Sequence, residues 1–426
     1  MFALPNVLAV LIASSIANAA ATPPPAFQPA AHNAGNGTKL TSSSAHFQVF
    51  DVTPDQAAVA LKLLESAYTC LVDTLGWRSS GLSYRRETSE DGPWYKMNAY
   101  GVSSPQAIGG AAGVMGSDFK TGAAFIKVVA ATIKDPLVTV HEYGHALTYY
   151  ERNWVDMGRT GTWWEPLAEF VADTYNTSPW CDAARKSVSQ PTGRTKMDLN
   201  KVVGSAHQVL VDGTPGGNAN YYQSWPFLSY LSYNPDNYPG LGKTVTRDMI
   251  RKYKLRSNET PLHALTIVAK SVSVQQIVGK YWARMAWGDI GHPQSRQRFD
   301  EVRARLNFAN LDSTGSGTYK VKAARAPKYM GASIIPLKGT GKISVKVTAS
   351  DPFTATLAIR PTSGAIRYVE LAEGAGGANV ADGEQAALAI ANTPKELIMY
   401  NGFEMEKTPQ VNKGLLYTLQ LTGATA

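Results

Sequence analysis

The stretch His141-Glu142-Tyr143-Gly144-His145 reads H-E-x-x-H. On a helix, residues four apart lie one turn from each other on the same face. Two imidazoles so placed can reach one metal ion, while Glu142 projects beside them toward a metal-bound water. The flanking residues favour a helix. Asp135 can cap it, Pro136 suits its first position, and Leu137, Val138, Val140, Ala146 and Leu147 supply apolar positions around the histidines. With seven histidines in 426 residues, chance sets two of them in this frame around a glutamate in fewer than about one case in a hundred. The competing reading is a buried helix with two satisfied histidines, which its uncharged neighbours also permit.

A metal site needs a further ligand. Trp163-Trp164-Glu165-Pro166-Leu167-Ala168-Glu169-Phe170-Val171-Ala172-Asp173 places Glu165, Glu169 and Asp173 at steps of four, which makes one acidic stripe on a second helix. Glu165 lies twenty positions after His145, and Gly158 and Gly161 help the chain turn back between them. Proline is comfortable only in a first helical turn, so Pro166 puts Glu165 at or just before the helix start. Glu169 and Asp173 are also compatible with a solvated helix face, and for Asp173 that is the simpler reading.

H-E-x-x-H followed about twenty residues later by W-x-E-x-x-A-E resembles the gluzincin clan of zinc metallopeptidases. The resemblance implies that His141, His145 and Glu165 hold one zinc ion per chain and that Glu142 is the catalytic base. It also implies that Glu169 orients a ligand histidine through its far nitrogen. Pro166 departs from the clan, where glycine is commoner. Tyr221-Tyr222 precedes a small apolar helix, as a tyrosine does in related peptidases. The resemblance therefore casts Tyr222, with Tyr221 close behind, as donor to the developing oxyanion. Ordinary aromatic packing explains that pair as well, because the chain has twenty tyrosines. More loosely, the whole chain resembles secreted zinc-motif proteins of plant-associated microbes described as avirulence or virulence factors, which implies an extracellular setting and a host protein as substrate.

Residues 1–19 carry no charged side chain, have an apolar centre at Leu8 to Ile12 and end in Ala17-Asn18-Ala19, the pattern of a secretory signal peptide. Nothing else is apolar for the roughly eighteen residues of a membrane span. Residues 20–44, rich in Pro, Ala, Gly and Ser, read as a disordered linker or short propeptide. Export fits the cysteine usage, since Cys70 and Cys181 are the only two and a disulfide between them is plausible in an oxidising compartment. Glycosylation sequons fall at Asn36, Asn176 and Asn258, with Pro179 and Pro261 weakening the last two.

The expected fold class is α+β. Residues 45–325 should form a zincin-like domain with a small sheet and a mostly helical lobe, and residues 326–426 a β-sandwich of about seven short strands. His46 to Val52 reads as a strand, and Thr53-Pro54-Asp55-Gln56 as a capping box opening a helix that Gly76 closes. Trp94 to Val102 and Ala123 to Ala131 read as further strands, with a glycine-rich loop at Gly109 to Gly113. Phe125 to Val129 is the nearest candidate for an edge strand that would hold an extended peptide. The C-terminal segment has no histidine or cysteine and should stand apart from the metal chemistry. Trp154, Trp163 and Trp164 either line a subsite or simply pack.

The net charge of +8 concentrates in a run at Arg247, Arg251, Lys252, Lys254 and Arg256. That run is a solvated helix face or a contact for acidic wall polymers. No interleaved aromatic and basic motif suggests nucleic acid. The expectation is thus a secreted, monomeric zinc metallopeptidase acting on a protein or peptide. The alternatives are a catalytically silent binding or adhesion protein on the same fold, and a zinc hydrolase of non-peptide amides or esters.

Overall fold

The computed structural model describes residues 24–29, 35, 37–82, 92–118, 120–155, 157–214 and 220–426. Residues 1–19, expected to be a signal peptide, and the sequon residue Asn36 lie outside them. The chain is mixed α and β, with a small mixed sheet, a helical region and two antiparallel sheets.

The first sheet has strands β1 (Leu40–Ser43), β2 (Phe47–Phe50), β3 (Met97–Val102), β4 (Gly113–Asp118) and β5 (Ala123–Val129), in the order β1-β2-β3-β5-β4. Strands β2, β3 and β5 run parallel, and β4 is antiparallel to β5 at the edge. The edge strands are therefore β1 and β4, and Phe125 to Val129 sits inside the sheet beside β4. The sequence hides β4 because Gly113, Gly116 and Ser117 lack the branched and aromatic side chains of a typical strand. Helix α1 (Pro54–Tyr68) opens with the Thr53–Gln56 capping box and Pro54, and Gly76 closes the segment at φ +71°.

Within the segment 20–44, expected to be a linker or propeptide, some of the described residues are packed. Phe27 is buried against Trp94, Tyr68 and His46, with its ring 5.4 Å from the Trp94 ring, and Gln28 bridges to Tyr95. One aromatic among prolines suffices to anchor a segment whose composition predicts none, and the folded part begins before His46.

Helices α2 (Pro136–Glu151) and α3 (Trp164–Thr177) follow, then α4 (Asp182–Ser187), α5 (Leu199–Val202), α6 (Trp225–Tyr233), α7 (Val245–Arg251), α8 (Pro261–Ala269), α9 (Val274–Met285) and α10 (Ser295–Val302). Asp135 Oδ1 accepts from Leu137 N, and Pro136 takes the first position of α2. Tyr143 fastens α2 to the sheet side, with its hydroxyl 3.2 Å from Ser80 Oγ and its ring against Phe47. At the other end the buried Glu151 carboxylate receives Arg251 through two bonds of 2.7 Å and Arg78 N at 2.8 Å. Part of the basic run is thus a clamp and not a solvated face: Arg247 donates to the carbonyls of Leu75 and Gly76, whereas Lys252, Lys254 and Arg256 remain exposed.

The remaining strands are β6 (Leu311–Gly315), β7 (Thr318–Val321), β8 (Ala332–Leu337), β9 (Gly341–Ala349), β10 (Phe353–Arg360), β11 (Arg367–Glu370), β12 (Ala375–Val380), β13 (Gln385–Asn392) and β14 (Tyr417–Thr422). They form sheets of order β11-β10-β13-β8 and β12-β9-β14-β7-β6. The sheets therefore start near residue 311, earlier than the expected boundary at 326, because the exposed polar strand β6 carries no hydrophobic signal. The run Glu396 to Tyr400, which the pattern allows as one of the seven strands, forms none, and the glycine-rich β12 takes a place the pattern does not reveal.

Alternation along β8, β10 and β13 splits their side chains between two cores. Leu357, Ile359, Leu388 and Ile390 face the five-stranded sheet. Ala358, Ala387, Ala389 and Ala391 join the main core. Alanine on that side lets α9 come close. Trp282 and Trp287 lie at this junction and donate their indole N–H groups to Met330 O and Ala358 O at 2.8 and 3.1 Å.

Cys70 and Cys181 form a disulfide across 111 residues, linking the turn after α1 to the turn after α3. Closing so long a loop restricts the unfolded chain strongly, so a C70S/C181S double variant should lose about 2–4 kcal/mol of stability. Urea unfolding measures this, and a loss under about 1 kcal/mol would contradict a stabilising role for the bond.

Candidate metal centre

Helices α2 and α3 bring the motif residues together. Gly144, between the two histidines, makes the close approach: a Cβ there would lie 3.1 Å from Ala168 Cα and from Val171 Cβ. Glu165 is the second residue of α3 and Pro166 the third, the first-turn placement that proline requires. From there the Glu165 carboxylate reaches both imidazoles, with Oε2 3.0 Å from His141 Nε2 and Oε1 3.5 Å from His145 Nε2. The ligand atoms of His141, His145 and Glu165 all lie within 4.8 Å of one another, so the three can hold a metal ion.

Charge follows this geometry. Burial favours the neutral form of the Glu165 carboxyl, but hydrogen bonds from His141 and His145 and their charges outweigh it and bring the group down to about 2. Glu142 differs. Burial raises it, and the neighbouring histidines and the Met115 backbone N–H only partly offset the rise. Strand β4 presses on this residue, since a Cβ at Gly113 would sit 2.7 Å from Glu142 Cγ.

A cleft of about 470 Å³ opens over the site, lined by β4, by both histidines, by Glu142 and Glu165, and by Tyr149, Val155, Trp164 and Tyr222. Tyr222 is 48 % exposed there, in the turn Tyr222–Ser224, and burial together with the Glu165, Glu169 and Glu142 charges raises its phenol. Tyr221 instead turns its ring to Phe403, 5.6 Å away. Of the three tryptophans considered for a subsite, Trp164 lines the cleft, whereas Trp154 and Trp163 are buried in the core.

Residues 32–352 match a family of unknown function, DUF6055. This chain belongs to that family. No curated protein matches it. In this DUF6055 chain the matched span holds every residue of the centre and runs into the C-terminal sheets.

The C-terminal part supplies no residue to the triad but packs close to it. Its loop Tyr400 to Phe403 packs under the segment leading to α3. Gly402 O accepts from Gly213 N at 3.1 Å, Tyr400 donates to Val211 O at 2.9 Å, and a Cβ at Gly161 would meet Phe403 at 3.2 Å. Phe403 then supports Tyr221, next to Tyr222. No histidine or cysteine marks such a contact, which is why the sequence does not disclose it.

Within the acidic stripe of α3, Glu169 and Asp173 are buried and not solvated, and Glu165 is half-buried. Glu169 lies with Oε1 3.7 Å from His141 Nδ1. Asp173, 1 % exposed, pairs with His292 Nε2 at 2.7 Å and accepts from Lys196 N at 3.1 Å. Asn176 is buried too, its Nδ2 donating to Arg194 O at 2.9 Å, so it cannot carry a glycan in the folded chain. Asn258 is exposed.

Removing one partner of a buried hydrogen-bonded pair leaves the other unsatisfied, so Asp173→Ala should cost about 1–3 kcal/mol. The drop is read from the urea midpoint, and an unchanged midpoint would mean that the Asp173–His292 pair carries no stability.

Proposed function

We propose that this protein is a secreted zinc metallopeptidase, with a zincin-like catalytic lobe and a C-terminal β-sandwich. The observation that carries the reading is the convergence of His141, His145 and Glu165 within 4.8 Å, in an open cleft where Glu142 stands beside them as a second carboxyl, raised by burial. Two imidazoles and one carboxylate are a donor set suited to zinc, and they leave a coordination position for water, as catalytic sites do and structural sites do not. When bound, zinc supplies a water of lowered pKa and polarises a substrate carbonyl.

The side chains divide the remaining work. Glu142 accepts the water proton and passes it to the leaving amine, for which a carboxyl raised by burial above its ordinary value is suited. Tyr222, exposed over the cleft, donates to the oxygen that gains charge. The outer edge of β4 offers main-chain groups to an extended substrate, and Val114, Met115, Val155 and Trp164 give the cleft an apolar lining for a side chain beside the cut bond. The Cys70–Cys181 disulfide supports an oxidising, extracellular setting.

Glu142→Gln should retain one zinc per chain and lose turnover by about 10²–10⁴-fold, the usual contribution of a general base. Tyr222→Phe should keep the metal and lower kcat by about 10²–10³-fold, the usual effect of removing an oxyanion donor. The test incubates a secreted-protein extract with wild type or E142Q and maps new N-termini by mass spectrometry. Termini made only by wild type support a peptidase and report its specificity. Identical termini with both, or none with either, would sink the reading and leave a non-peptide hydrolase or a binding protein.

A further inference from the structure

We propose that Lys196 is a positioning residue of the metal centre, holding the Glu169 carboxylate against His141 and so fixing the orientation of that imidazole. The inference rests on the metal-site reading above and adds a residue that lies outside both motifs.

Three carboxylates one turn apart on a single buried face repel one another, so each needs a cationic or hydrogen-bonding partner. Glu165 faces His141 and His145. Asp173 faces His292. Glu169, between them in sequence, has both Lys196 Nζ and His141 Nδ1 at 3.7 Å from its Oε1. His141 Nδ1 and Glu169 Oε2 are both buried and make no hydrogen bond. A ligand imidazole bound through Nε2 needs an acceptor at its Nδ1–H, and Glu169 is the carboxylate within reach. A small shift of Glu169 toward His141 would meet that need.

Lys196 is itself firmly placed. Its Nζ donates to Leu137 O, in the first turn of the helix that carries His141, at 3.1 Å, and its main-chain N donates to Asp173 Oδ1 at 3.1 Å. It belongs to a strap, residues 193–198, that runs along the acidic face of α3. Gly193 N donates to Asn176 O at 2.9 Å at one end, and Asp198 N donates to Gln223 Oε1 at 2.8 Å at the other. The lysine therefore spans the ligand helix and the acidic helix behind the metal-binding atoms, where it can restrain Glu169 without touching substrate.

The test uses the full chain, stripped of metal and titrated with zinc against a chromophoric chelator, and in parallel with Co²⁺ followed by its visible absorption. Lys196→Met should weaken zinc by about 10–100-fold, the usual effect of losing an outer partner of a ligand, and should alter the Co²⁺ bands. Lys196→Arg should restore both. In a Glu169→Gln background, Lys196→Met should change neither reading further, because the lysine acts through that carboxylate. Melting of the metal-free proteins controls for folding. Lys196→Met with wild-type zinc affinity and Co²⁺ spectrum, or an equal effect in the Glu169→Gln background, overturns the inference alone. A wild-type chain that binds neither ion overturns it together with the metallopeptidase reading.

Discussion

The close packing of α2 on α3 is the constraint on which the site depends. Gly144 is the residue between the histidines that permits it, because any side chain there would meet Ala168 and Val171. With the helices in contact, a carboxylate in the first turn of α3 arrives 3.0 Å from an imidazole in the middle of α2. Helix pairs separate by about 8–10 Å according to the side chains at their contact, so even one methyl group at this position would push the two helices apart. The ends of α2 are held as carefully as its middle, by the Asp135 cap at one end and by Glu151, Arg251 and Arg78 at the other.

Burying the acidic stripe imposes a second requirement. A run of Glu165, Glu169 and Asp173 on a solvated helix would be nearly cost-free, but against α2 and the strap each carboxylate needs a partner. The chain supplies these from places far apart in sequence: the histidines of α2, Lys196 of the strap, and His292 just before α10. The candidate centre is thus the outer, cleft-facing end of a charged layer that continues into the core.

The C-terminal sheets contribute through shape. Their alanine-rich face packs under α9, and the loop at Tyr400 to Phe403 wedges between Gly161, Thr162 and Gly213, which ties the cleft wall near Tyr221 to the β-rich part of the chain. The two parts share one continuous core, so they are expected to support each other mechanically as well as to sit side by side.

Much of this was legible in the sequence wherever local chemistry is decisive. The Asp135-Pro136 start of α2, the Thr53 capping box, the first-turn position of Glu165 and most C-terminal strands all follow from short-range rules of capping, proline geometry and alternation. The metal triad was legible for the same reason, because two of its members share one helix turn and the third begins the next helix. The tertiary structure alone decided the rest. Strand β4 is an edge because of its neighbours and not its glycines. Phe27 is anchored by Trp94, Asp173 is buried by His292 rather than hydrated, and Tyr222 rather than Tyr221 faces the cleft because Phe403 holds the other ring. In each case the deciding partner is distant in sequence. Burial and pairing are properties of two surfaces together, and a single segment specifies only one of them.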